Sequence, residues 1–152
     1  MALNSDYINL RYNNFEGKLS EEQFYKEMDA IFLNNNRFSS TIPESMGNSS
    51  ASVVVLANNN FKGCIPSSVG RMANLREIVL LNNDLVGCMP PEIGKLQNVT
   101  VFSGAGNKFS GILPKGFSGL EKVVELDVSG IVLTGFVPEE ICRLQNLKNF
   151  RF

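Results

Sequence analysis

The chain has 152 residues, 43% of them apolar, with 14 Lys and Arg against 15 Asp and Glu for a formal net charge of −1. That length supports one domain with a continuous core, and the near-neutral balance leaves no electrostatic footprint for nucleic acid or an anionic membrane surface. Histidine is absent, which removes His-based triads and most zinc sites, and no apolar run is long enough to span a membrane, so no catalytic residue, metal or cofactor is expected.

Along the chain one frame recurs. Asn13, Asn36, Asn59, Asn83 and Asn107 follow one another every 23 or 24 residues, each with a leucine-like residue at most of the positions three and five before it. An aromatic residue or leucine lies two positions after, and Gly (once Ser) four after. The first copy runs from Ile8 and Leu10 through Asn13 to Phe15 and Gly17; Ser20 and Gln23 then bracket a short helical turn as a capping box does. Ile31 and Leu33 open the second copy, Val54 and Leu56 the third, Ile78 and Leu80 the fourth, and these continue into Ile42-Pro43, Ile65-Pro66 and Met89-Pro90. Two later copies depart. In the fifth, Gly104 takes the second apolar position and Gly106 follows, which predicts an under-packed, loose coil. In the sixth, Ile131 stands where Asn is due; backbone groups left unpaired there would cost roughly 1–3 kcal/mol each, so a kink or relaxed coil is expected. Phe150-Arg151-Phe152 falls in the strand of a seventh, partial copy.

A fixed period in the twenties with this L-x-L-x-x-N frame predicts an α/β leucine-rich-repeat solenoid, a horseshoe segment in which residues 1–152 form a single domain of about six repeats. The alternating L-x-L pair reads as a strand of a parallel sheet on the concave face. Each Asn sits where the chain leaves that strand, and its amide can both donate to and accept from backbone groups that the turn leaves unpaired. The residue two later fills the core, and G-x-I-P returns the chain through extended segments and short 3-10 or α turns on the convex face. No terminal caps are present and Met1 leads almost directly into a strand without a secretory signal. The chain therefore reads as a piece of a longer array, intracellular as written and prone to aggregate through open strand edges.

Cys64 and Cys88 hold equivalent places in consecutive copies. Coils stacked about 4.8 Å apart would bring them within disulfide range; the alternative is a pair of buried thiols. Cys142 reads as a free buried thiol or as one whose partner lies outside this sequence. Asn48-Ser49-Ser50 and Asn98-Val99-Thr100 are N-glycosylation sequons, relevant in a secreted protein. The acid pairs Glu21-Glu22 and Glu139-Glu140 fall in convex segments and read as solvated surface.

The concave face carries the candidate binding site. Between the two core positions runs a column of Asn9, Phe32, Val55, Val79, Ser103, Asp127 and Arg151; beside it runs Arg11, Asn34, Ala57, Leu81, Ala105 and Ser129. Phe32, Val55, Val79 and Leu81 would form an exposed apolar patch, bordered by a ridge of Asn35, Asn58 and Asn82. Glu77, Glu125 and Asp127 add acidity, so an extended or cyclic peptide, basic in character, is the expected ligand. Strand propensity alone would also place Phe and Val there.

The G-x-I-P extension is similar to that of the plant-specific class of leucine-rich repeats. The strings LRYNNFEG (Leu10 to Gly17), MDAIFLNNNRF (Met28 to Phe38), IPESMGNS (Ile42 to Ser49), GCIP, GCMPPEIG and ICRLQNL together resemble the N-terminal domain of leucine-rich-repeat extensins over nearly the whole chain. The resemblance implies secretion to the cell wall and binding of basic, cysteine-containing peptides of the rapid alkalinisation factor type, or of a wall protein, with a dimer expected of the parent protein. That family's signal peptide, cysteine-rich C-terminal cap and Ser-Pro-rich tail have no counterpart in these residues. Two alternatives stand beside it: an inhibitor or recognition module for a wall-degrading enzyme such as polygalacturonase, and a truncated gene product without activity.

Overall fold

The computed structural model describes residues 7–24, 27–87 and 89–152. The first residue of each L-x-L pair is the centre of a short strand, and with strands numbered in chain order these are β1 (Tyr7–Asn9), β3 (Ala30–Phe32), β5 (Val53–Val55), β7 (Glu77–Val79), β9 (Val101–Ser103), β11 (Glu125–Asp127) and β13 (Asn149–Arg151). They pair in that order as one parallel sheet, and Ile8, Ile31, Val54, Ile78, Phe102, Leu126 and Phe150 stay in register from end to end. Because side chains alternate along a strand, the central residue enters the core while its two neighbours face the other way. Ile31, Val54, Ile78, Phe102 and Leu126 are accordingly buried.

The asparagines do the work that their donor and acceptor inventory allows. Asn59 Nδ2 donates to Leu33 O of the preceding coil at 3.0 Å and to Leu56 O of its own at 3.1 Å, while Asn59 Oδ1 accepts from Phe38 N–H at 3.1 Å. Asn36, Asn83 and Asn107 repeat the arrangement, accepting from the N–H groups of Phe15, Phe61 and Leu85. The side chain of Asn13, exposed in the first described coil, donates within that coil, to Leu10 O and Arg11 O.

After each turn the chain enters strands that the sequence reading took for merely extended segments. These are β2 (Glu16–Gly17), β4 (Arg37–Phe38), β6 (Lys62–Gly63), β8 (Asp84–Gly87), β10 (Lys108–Gly111) and β12 (Val132–Leu133). β2 pairs with β4, and β6, β8, β10 and β12 form a second parallel sheet along one side of the solenoid. Strands of two to four residues carry too little alternation to announce themselves. Pro43, Pro66, Pro90, Pro114 and Pro138, all extended, then admit one-turn 3-10 helices at Glu44–Asn48, Ser67–Arg71, Pro91–Lys95, Lys115–Gly119 and Glu139–Arg143. Ser20 precedes a shorter turn at Glu21–Phe24. These turns stack so closely that a Cβ on Gly94 would collide with the carbonyl of Gly116. One apolar core runs through the stack from Leu19 to Leu144.

Three expectations are corrected here. The fifth coil is packed, not loose: the space beside Gly104 is taken by Phe102, Phe109 and Met89, whose nearest carbons lie 3.2–3.4 Å from where a Cβ would stand. Phe102 also meets Phe117 edge to face at 5.6 Å. The sixth coil keeps register on both sides of β11 despite Ile131. Its turn is held instead by Asp127 Oδ1, which accepts from Ser129 N–H at 3.1 Å and Ser129 Oγ–H at 2.7 Å, while half-buried Ile131 packs on the core. Cys64 and Cys142 are exposed rather than buried, since both follow a core-facing or turn residue and point outward. Cys88 lies outside the described residues, so its pairing with Cys64 has no structural account.

Candidate functional site

The concave sheet sets out its side chains in columns, as the strand register requires. Phe32, Val55, Val79, Ser103, Asp127 and Arg151 are direct neighbours across successive strands. Phe32, Val55, Val79 and Leu81 are half-buried, which corrects the expectation of an openly exposed patch: at a strand spacing of about 4.8 Å each side chain shields the next. Arg11 lies over the Phe32 ring, its guanidinium carbon 5.6 Å from the centroid, so the apolar run begins with a cation–π contact. Asn34 is half-buried beside it. A third column, one alternation earlier, was not singled out from the sequence: Ala30, Val53, Glu77, Val101, Glu125 and Asn149. The same period-two rule that located the other two would have found it.

The asparagine ridge is real and has a conformational cause. Asn35, Asn58 and Asn82 adopt φ of 59°, 55° and 54°, a left-handed turn that Asn tolerates better than most residues. Their side chains join in a line, Asn58 Nδ2 donating to Asn35 Oδ1 and Asn82 Nδ2 to Asn58 Oδ1, both at 3.0 Å. Tyr12 at φ 57° holds the corresponding place in the first coil, Gly106 and Gly130 in the fifth and sixth. Gly106 is therefore the conformational equivalent of the ridge residues.

The acidity expected towards the C-terminal half is largely spent within the chain. Arg151 Nη1 lies 3.0 Å from Glu125 Oε1 and 3.3 Å from Asp127 Oδ2. Burial alone would raise the Asp127 pKa, but hydrogen bonds from the Ser129 side chain and backbone, reinforced by Arg151, hold it below the ordinary carboxylate range. Glu77 differs: it is exposed, flanked by Val53 and Val101, and its side chain has no hydrogen bond or ion pair among the described residues. On the outer sheet, Lys108 and Asp84 pair at 2.6 Å and lower the Asp84 pKa.

The two sequons occupy one edge of the solenoid, in the segments that climb from the convex turns to the concave strands. Asn48 ends a 3-10 turn and is exposed. Asn98 is exposed too, but it donates to Ala73 O at 2.9 Å and accepts from Lys122 Nζ at 2.7 Å, in a column where Asn74 and Asn146 make the same step to the preceding coil. No helix among the described residues is long and apolar enough to cross a membrane.

Several solved structures share this architecture. The plant peptide hormone receptor RGFR1, in complex with RGF2, is similar at a TM-score of 0.90 and 24% identity over 93% of this chain and 23% of that one. The Arabidopsis receptor kinase HAESA, in complex with the peptide hormone IDA and the co-receptor SERK1, gives 0.82 at 26% identity over 95% of this chain and 29% of its own. The BIR2 ectodomain from Arabidopsis thaliana gives 0.74 at 28% identity, covering 84% of this chain and 68% of that ectodomain. The chain thus spans about a quarter of the length of RGFR1 and HAESA. No protein-family model matches it, and no curated protein does either. The fold is the leucine-rich-repeat solenoid found in plant receptor ectodomains.

Proposed function

We propose that the chain is a non-catalytic binding module whose concave face receives an extended peptide. The observation that carries this reading is the apolar run of Phe32, Val55, Val79 and Leu81, crossing three adjacent strands on a sheet face that nothing in the described chain covers. The ridge of half-buried Asn35 and exposed Asn58 and Asn82 borders it with amides able to meet a peptide backbone. The peptide hormones bound by RGFR1 and HAESA support the same use of the fold. A finer form follows from the extensin resemblance: a secreted, wall-located module, glycosylated at Asn48 and Asn98, taking a basic peptide of the rapid alkalinisation type.

Immobilised chain, presented with the secreted-peptide fraction of a plant cell culture, tests the reading. Wild type should retain a discrete set of peptides, and a Phe32→Ser/Val79→Ser double variant with unchanged circular dichroism should release them. Equal retention by both proteins would remove the site from this face, and no retention by either would remove the peptide.

A further inference from the structure

Resting on the peptide-binding reading, we infer that this part of the concave face selects a ligand with a single cation beside a short apolar stretch, and that Glu77 is the residue that reads the charge. The charges on the face are few. Arg11 is engaged with the Phe32 ring, and Arg151 joins Glu125 and Asp127 into one ion-paired cluster in which both carboxylates already have a partner. Glu77 is left as the carboxylate without a partner among the described residues, and it forms no ion pair even with adjacent Arg76.

Its surroundings turn that isolation into a selection rule. Val53 and Val101 flank Glu77 across the sheet, and Val79 lies two residues on along β7, on the same face. Exposed to water, the carboxylate costs nothing. Covered by a ligand that offers it no partner, it would be stripped of solvent among valines, and an unpaired charge so placed is heavily penalised. A cationic side chain or amino terminus removes the penalty with a charge-assisted hydrogen bond. One free carboxylate calls for one cation; a further cation would find neutral side chains, or carboxylates at which Arg151 already competes for the same oxygens.

The spacing limits the ligand further. Phe32, Val55 and Val79 stand on neighbouring strands and span about 10 Å, the length of roughly three extended residues. Glu77 and Val79 are separated by two residues of strand, about 7 Å. The matching ligand has an apolar stretch of about three residues with its cation within about 7 Å of one end. A ligand basic over its whole length would have to place its other charges beyond these coils.

Parallel selections from a phage-displayed random peptide library, on the wild-type chain and on Glu77→Gln, test this. Wild-type selection should converge on peptides with one Lys or Arg next to an apolar run, and these should bind Glu77→Gln at least about tenfold more weakly and Glu77→Asp nearly as well as wild type. Selection on Glu77→Gln should lose the requirement for a cation. Polybasic or uncharged wild-type peptides, or peptides indifferent to Glu77→Gln, would overturn the inference. Peptides that bind the Phe32→Ser/Val79→Ser chain as well as wild type, or a selection that yields none, would instead overturn the concave-site reading beneath it.

Discussion

Coils two to four and coils five to six share one backbone course but reach it by different chemistry. In the first group, Asn36, Asn59 and Asn83 bridge consecutive coils from inside, while Asn35, Asn58 and Asn82 turn the chain outside and link their side chains. In the second, Gly106 and Gly130 make the same turn with no side chain, and in the sixth coil Ile131 and an Asp127–Ser129 turn replace the inner amide. The difference separates what the fold needs from what a ligand can use. A positive φ before the ladder position is structural and either Asn or Gly supplies it. The polar ridge is a property of the Asn solution alone, so it borders the apolar columns and stops where they stop.

The sharpest way to break this comparison is to exchange the inner residues. Asn59→Ala should cost about 2–3 kcal/mol, because the Phe38 N–H loses its acceptor inside the core, while the carbonyls of Leu33 and Leu56 each lose one of two amide donors and keep Asn36 and Asn83. Ile131→Asn should lie within about 1 kcal/mol of wild type, the new amide offering Phe109 an acceptor at the expense of apolar burial. Urea melts of both variants make the test. If Ile131→Asn stabilised the chain by as much as Asn59→Ala harmed it, the Asp127 turn would be a defect and not a substitute.

A second exchange concerns how the fifth coil fills its core. Phe102→Leu should destabilise by about 1–2 kcal/mol, because Phe102 occupies the space that Gly104 vacates and also packs on Phe117. In a Gly104→Ala background the cost should fall by about 0.5–1 kcal/mol, since the added methyl restores part of the lost contact. A double-mutant cycle with zero coupling would show that the aromatic does not compensate for the glycine. The equivalent cycle at Ile78 and Leu80, both buried in the fourth coil, should show ordinary neighbour coupling without a glycine to rescue.

These contrasts also mark what the sequence could tell. The period, the inner strands, the ladder positions and two of the three columns were legible because each rests on residue type at fixed spacing. The packing of Gly104 was not, because its void is filled by Phe102, Phe109 and Met89 from other positions, and such compensation appears only in three dimensions. The outer sheet was hidden by its short strands. The acidity of Glu125 and Asp127 was misjudged although the column had set Arg151 beside Asp127, because the reach of that one side chain to both carboxylates appears only in three dimensions. Glu77 was singled out only as one of three acidic residues, and its lack of a partner among the described residues emerges only from the stacked coils.

The smallest expected effect is the most specific, because it concerns a single ionisation in the irregular half. Asp127 has a folded pKa below its unfolded one, so its carboxylate adds stability that is complete above about pH 4 and is lost as pH falls through the folded value. Asp127→Asn keeps an acceptor for Ser129 but loses the charge facing Arg151, whose side chain is 57% exposed, so water and salt limit the loss at neutral pH to about 1 kcal/mol. The difference in melting temperature between wild type and Asp127→Asn should therefore shrink as pH falls through the folded value and close once Asp127 is protonated and as neutral as its replacement. Added salt at pH ~7 should narrow it as well. A difference that persisted unchanged into acid would mean that residue 127 holds the sixth turn through shape and hydrogen bonding alone. The Asp127–Arg151 contact would then contribute nothing to replacing the missing asparagine.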